Sequence, residues 1–259
     1  MTPSTTPSDD PVFRLGQLDV EEHLRDPTIK QRFVTTMFDV IAPRYDRFTR
    51  VFSFGMDRGW KRLLLQEVER AVPTDGVVLD LASGTGDLAF GAASCMTGGA
   101  VVGLDVSRRM LRLASRRRLG RIEHVRFCAG SIAQLPYADA TADAVTAGYA
   151  LRNAPELHTA LDEITRVLKP GGHVFTLDFY RPAAPVWRWL FVSYLRGAGN
   201  LVGWLWHREP VAYGYIAASI EHFVSWQSFS KVLEQRGFQI ERVHRKLLGG
   251  IAIHVARKL

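Results

Sequence analysis

The stretch VVLDLASGTGD, Val77 to Asp87, followed further on by AVVGLD, Ala100 to Asp105, decides the fold. Each is an apolar run; the first breaks into a glycine turn and the second ends on an acid. That order of strand, turn, helix, strand and acid opens a doubly wound α/β nucleotide-binding unit. Gly84 and Gly86 carry no Cβ to obstruct a ligand approaching the backbone beyond the first strand. Asp105 stands about 20 residues after them, where a carboxylate accepts both hydroxyls of a ribose. A dinucleotide would want a third glycine and a helix N-terminus open to its pyrophosphate. Here the third position is Ala89, and Asp80 and Asp87 bracket the turn. Acids repel pyrophosphate and suit an ammonium or sulfonium group, so S-adenosylmethionine fits better than NAD.

Outward from this unit, strands and helices alternate. VVLDLA, VVGLDV, HVRFCAG, AVTAGYAL and HVFTLDF read as five parallel strands, with helices from Asp87, Ser107 and Pro155 and a helix or turn at IAQL. Lys169-Pro170-Gly171-Gly172 reads as a turn that starts the fifth strand at His173. GFQIERVHRKL and IAIHVARKL, separated by Gly249-Gly250, read as a closing antiparallel hairpin. The expectation is a Rossmann-like α/β fold: seven strands, mostly parallel, an antiparallel edge hairpin and helices on both faces. Residues 1–27 read as a flexible tail and 28–259 as a single domain. Within it, 28–72 forms a helical cap. Phe33, Val34, Met37, Phe38 and Ile41 recur at helical spacing from Thr28 until Pro43, and a second amphipathic helix spans Arg58 to Val72. Residues 181–223, rich in Trp and Tyr, form an insert that either roofs a hydrophobic substrate or packs as ordinary core; its arginines and glycines argue against a membrane span.

The composition, 259 residues with 47% hydrophobic and 23% charged, suits a globular chain with a full core. The start, MTPSTTPSDDP, has no secretion signal, so a cytoplasmic protein is expected. Cys95 and Cys128 lack metal-ligand spacing, and no metal site is indicated. The net charge of +7 is concentrated between Arg108 and Arg121. That cluster is either a solvated helix face or an attraction for anionic lipid or nucleic acid.

Methyl transfer from a sulfonium needs no protein nucleophile; alignment supplies roughly 7–11 kcal/mol of the barrier. Its acceptor is partly legible after strand four. Amino-directed nucleic-acid methyltransferases share an Asn/Asp-Pro-Pro-aromatic motif there, whereas this chain has Gly148-Tyr149-Ala150-Leu151-Arg152-Asn153.

The chain resembles the demethylmenaquinone and 2-polyprenyl-benzoquinol C-methyltransferases of quinone biosynthesis. The resemblance is carried by MFDVIAPRYD and FSFGMDRGWKR, by VLDLASGTGDLAF, by LRN with RVLKPGGHVFTLDF, and by Tyr213-Gly214-Tyr215-Ile216, Ser219-Ile220 and GGIAIHVARK. It implies S-adenosylmethionine-dependent methylation of a ring carbon of a prenylated quinol, demethylmenaquinol first among them. Cofactor contacts then fall on Thr85, Asp105, Ser131, Ile132 and Gly148, alongside Asp80, Gly84 and Gly86, with Tyr45 as a lid. Arg152 and Asn153 become candidates for the quinol oxygens, or else cap a helix and pair with Glu156. Tyr213 and Ser219 face the substrate, and His222 is a candidate base. Ser131-Ile132, Gly148 and Tyr149 depart from the family's usual residues, as does GWLWHREPV before Tyr213. The lipid acceptor implies peripheral contact with the inner membrane face. A secondary-metabolite methyltransferase and an RNA-binding protein are the alternatives, and the oligomeric state, a homodimer included, stays open.

Overall fold

The computed structural model describes residues 26–118, 124–202 and 210–259, with side chains at 48, 52, 118 and 198–214 left aside. Its strands are β1 (Val77–Leu81), β2 (Ala100–Asp105), β3 (Val125–Ala129), β4 (Ala142–Gly148), β5 (Leu168–Phe179), β6 (Phe238–Lys246) and β7 (Ile251–Lys258). They form one seven-stranded sheet in the order β3-β2-β1-β4-β5-β7-β6. The first five are parallel, while β7 runs antiparallel to both β5 and β6. The order reverses between β1 and β4, which opens a crevice at their carboxyl ends. Leu79 pairs with Val102 on one side and Val145 on the other, so β1 is central, and the burial of successive residues Val78 to Leu81 shows both its faces covered, which lets it be apolar except for Asp80.

One expectation, the start of β5, changes. The Lys169–Gly172 turn lies inside β5, not before it: the register jumps from Ala142 opposite Leu168 to Ala144 opposite His173, and Gly171 takes φ +78°. IAQL takes the turn of the two forms read for it, closed by a short bridge between Ser131 and Gln134.

The cap comprises α1 (Pro27–Ile41), α2 (Tyr45–Phe52) and α3 (Asp57–Ala71). Asp26 caps α1 by accepting the Thr28 and Ile29 amides at 2.8 and 3.1 Å, so the helix takes in the end of the expected tail. Residues 1–25 lie outside the described residues. A single 3₁₀ turn, Ala42–Arg44, holds Pro43, so α1 stops at Ile41 and Tyr45 opens a new helix. The other helices are α4 (Asp87–Ser94), α5 (Arg108–Arg118), α6 (Leu157–Val167), α7 (Pro185–Val202), α8 (Pro210–His222) and α9 (Trp226–Glu234).

The 181–223 insert supplies α7 and α8, and its inner side is core. Phe191, Val192, Leu195, Tyr215 and Ile220 pack on Phe33, Val34, Met37 and Ile41 of α1. Each such large side chain contributes about 1.5–3 kcal/mol by leaving water. Insert and cap therefore share one core. Among the described residues no helix is long and apolar enough to cross a membrane.

Candidate active site

A cleft of about 840 Å³ lies at the carboxyl ends of β1, β2 and β4, beneath α1 and α2. Its floor is Asp80, Gly84, Thr85, Asp105, Ile132 and Gly148; Gln31, Val34, Phe38 and Tyr45 face them from the cap. Asp105 is fixed from both sides, its Oδ2 accepting the Gly84 amide and its Oδ1 the Ser107 amide, each at 2.8 Å. Two charge-assisted bonds set the carboxylate's orientation while lone pairs remain for a ligand. Burial pushes Asp105 up to about 6 against those bonds.

The two glycines divide their work. A Cβ on Gly84 would meet nothing within 4 Å, so this is the position that opens the turn to a ligand. Gly86, at φ +87°, is the N-cap of α4. A Cβ there would come within 2.8 Å of Phe90 and 2.9 Å of Phe127, so Gly86 serves close packing instead of ligand contact. Thr85 is buried and donates to Asp46 Oδ1 of α2 at 2.7 Å, which ties the cap to the turn. A Cβ on Gly148 would stand 2.6 Å from the Leu88 side chain, so glycine suits the packing there.

The acids are not equivalent. Asp87 lies 3.1 Å from Lys61 and 2.8 Å from Arg117, and although burial opposes it, the two cations hold its carboxyl low. Asp80 has no such partner: Thr146 donates to its Oδ1 at 2.7 Å, while Oδ2 is buried without one. Burial pushes Asp80 up to about 7. A buried carboxylate oxygen lacking a donor suits a cationic ligand. With Asp105 beneath and Gly84 open, the residues present fit S-adenosylmethionine.

Tyr45 lines the cleft, its ring set edge-to-face on Phe38, and burial pushes its phenol up to about 12. Ile132 lines the cleft too; Ser131 does not, since its hydroxyl donates to Gln31 Oε1 at 3.3 Å and accepts the Ala133 amide. Tyr149, at φ +57°, swings its hydroxyl onto buried Asp57 Oδ1 at 2.8 Å, and Asp57 in turn holds Lys61 at 2.8 Å. Asp57 and Lys61 went unremarked in the sequence, because nothing local in FSFGMDRGWKR shows that Asp57 reaches the residue after β4.

Beside the cleft lies a polar cluster. Arg152 and Asn153, in the 3₁₀ turn Leu151–Asn153, are both buried. Asp178 of β5 accepts the Arg152 amide at 3.1 Å and stands 3.4 Å from Nε, while the guanidinium donates to Ser219 of α8 and lies over Phe179. Arg152 is thus internally paired and does not line the cleft; Asp178, unremarked in the sequence, is its partner. Neither residue caps α6, because Glu156 does so by accepting the His158 and Thr159 amides. Asn153 does line the cleft: its Nδ2 donates to Tyr149 O at 2.8 Å and its Oδ1 is buried and unpaired. Tyr215, one turn from Ser219, has a buried hydroxyl without a partner. Lys30 of α1 also faces this cluster, and burial together with the Arg152 charge draws its ammonium down to about 8.

His222 is corrected. It is exposed at the end of α8, where its Nδ1 meets Ala218 O at 2.9 Å, because the helix turns its last residue to solvent. The side chain of Tyr213 lies outside the described residues.

The Syntrophotalea carbinolica ubiquinone/menaquinone biosynthesis C-methyltransferase UbiE is 39% identical over 83% of this chain and 89% of its own. The Lactiplantibacillus plantarum demethylmenaquinone methyltransferase is 35% identical over 87% and 95%. Among solved structures, the Streptomyces coelicolor A3(2) geranyl diphosphate C-methyltransferase with S-adenosyl-L-homocysteine superposes with a TM-score of 0.60 at 15% identity, over 78% of this chain and 79% of that one. A sheet of this order, a cleft suited to S-adenosylmethionine and a match over residues 27–258 together place the chain in the ubiE/COQ5 methyltransferase family, as an S-adenosylmethionine-dependent methyltransferase.

Proposed function

We propose that this enzyme methylates a ring carbon of a prenylated quinol, demethylmenaquinol first, at the inner face of the membrane. The observation that carries the reading is the similarity, along most of the chain, to C-methyltransferases and demethylmenaquinone methyltransferases of quinone biosynthesis. S-adenosylmethionine, when bound, supplies an electrophilic methyl group. Asp105 would accept the ribose hydroxyls, Asp80 Oδ2 would face the cationic end, Gly84 and Thr85 would border it, and Ile132 would pack on the adenine. Tyr45 covers the cleft with Phe38 and excludes water.

On the acceptor side, Asn153 Oδ1 accepts a hydrogen bond from a quinol hydroxyl and so fixes the ring. Arg152, locked by Asp178 and Ser219, is a positioning residue whose charge favours the ionised ring oxygen. Lys30 is the group in this cluster able to exchange a proton near neutral pH. Residues 28–259 act as one catalytic unit, with 181–223 covering the substrate.

Methyl transfer tests this reading with three acceptors side by side: demethylmenaquinol and a demethyl benzoquinol, both in vesicles, and a soluble aromatic. Preference for either quinol supports it and selects the branch. Transfer to the soluble aromatic alone would instead indicate secondary metabolism.

A further inference from the structure

On the outer side of the cap, three segments distant in sequence bring apolar side chains to the surface together. The α2–α3 turn presents Phe54 at 74% exposure, α7 presents Val186 at 73% and Trp189 at 68%, and the β6–β7 turn presents Leu248 at 81%. They are physically joined. Phe54 stacks on Tyr194 of α7 with ring centroids 5.9 Å apart, and Trp187 Nε1 donates to Leu247 O at 3.0 Å. Leu248 sits at φ +51°, a left-handed conformation unfavourable for a Cβ-bearing residue, and its side chain points to solvent. Burial cannot be what maintains this arrangement. Singly exposed apolar residues are ordinary, whereas a joined patch signals something that covers it.

We infer that this face is the docking surface for an anionic lipid bilayer. The charge around it selects that occupant. From Arg181 to Arg196 the chain contains no Asp or Glu, and Arg181 and Arg188 precede or flank the exposed residues of α7. On either side of the α2–α3 turn Arg50 and Arg58 are exposed, while Asp57 is turned inward onto Lys61 and Tyr149 and Asp46, one turn before Arg50, is taken up by Thr85 and Arg117. A second copy of the chain would set these arginines against their like, whereas an anionic surface neutralises them. Trp and Tyr rings among apolar residues, flanked by Arg, also match what settles at a headgroup boundary. The arginines of α5 are a different group, and Arg117 there is committed to Asp87 and Asp46.

The same helices frame the cleft: α2 starts at Tyr45, and α7 packs on the face of α1 that carries Val34. Docking would therefore set the cap against the lipid in which a prenylated quinol dissolves, and this functional part rests on the quinol reading.

Flotation with phosphatidylglycerol-containing and pure phosphatidylcholine vesicles tests the inference without any acceptor. The expected result is salt-sensitive binding to the anionic vesicles, weakened about tenfold or more in the combined variant Phe54→Ser, Trp189→Ser, Leu248→Ser and also in Arg50→Glu, Arg58→Glu. In the apolar variant, turnover of a short-chain soluble quinol stays unchanged while turnover of a long-chain quinol in vesicles falls. Wild-type binding that neither variant alters would overturn the inference. So would failure of the wild type to bind, and a dimer that the apolar variant dissociates would then make a second copy the occupant. Vesicle binding without methylation of any quinol would leave the docking surface standing and remove the quinol reading.

Discussion

At the scale of single residues, the cleft depends on where carboxylates are left without partners. Asp105→Ala removes the acceptor of two backbone amides as well as the ribose contact. It should weaken S-adenosylmethionine binding by about 10- to 100-fold, the equivalent of about 1.5–3 kcal/mol for hydrogen bonds to a charged group, measured by calorimetry. Asp80 predicts a pH dependence. Its folded value, about 7, is above the ordinary 3.8, so its protonated form favours folding; that contribution is complete below about 4 and is lost as pH rises through 7. Cofactor affinity moves the other way, because a cationic ligand wants the ionised carboxylate. Binding should be about tenfold weaker at pH 6 than at pH 8, and Asp80→Asn should flatten the difference. Arg152 and Asp178 form a buried pair, and Arg152→Ala leaves Asp178 stranded. It should cost about 3–5 kcal/mol of stability by denaturant unfolding, in addition to lost turnover. Arg152→Met with Asp178→Leu should recover stability without turnover. Asp105 and the glycine turn were legible in the sequence because strand-turn-acid spacing is local. Asp178 was not, because its partner lies 26 residues earlier on a neighbouring segment. His222 misled because a histidine in a helix gives no sign of which way it faces.

At the scale of elements, the strands were legible as apolar runs and the hairpin from its paired glycines. Pro43 correctly marked a helix end, yet nothing local indicated that Tyr45 begins another helix instead of closing the first. Such a restart depends on tertiary contacts, here Asp46 of α2 accepting from Thr85 of the cofactor turn. Lys169–Gly172 reads locally as a loop, but its flanks pair with β4, so the turn becomes a bulge within a strand. The β1–α4 junction gives a test at this scale. Gly86→Ala adds a methyl group against Phe90 and Phe127 at a positive φ, and should destabilise the fold by about 1–3 kcal/mol, with a lowered melting temperature. Gly84→Ala meets no neighbouring atom and carries only the backbone strain of φ +54°, so it should lower stability less than Gly86→Ala and weaken cofactor binding more. Equal effects of the two substitutions would contradict the division of labour between the glycines.

At the scale of the whole molecule, the sheet fixes the crevice, the cap faces it, and the insert packs against the cap to complete one helical layer. Sequence pattern marks each of these parts, but pattern alone left the insert suspended between roof and core. In the structure its inward residues pack on α1 as core, while its outward ones remain exposed beside α2. The account's central claim is that this layer and crevice together direct a methyl group onto the ring carbon of a quinol. The measurement that tests it most directly is turnover of demethylmenaquinol with S-adenosylmethionine carrying a deuterated methyl group, with the product examined by mass spectrometry and NMR. The account predicts a trideuteromethyl group bonded to a ring carbon, with the hydrogen on that carbon lost. A methyl group found on a ring oxygen, or an unchanged quinol alongside a cofactor that binds normally, would contradict it.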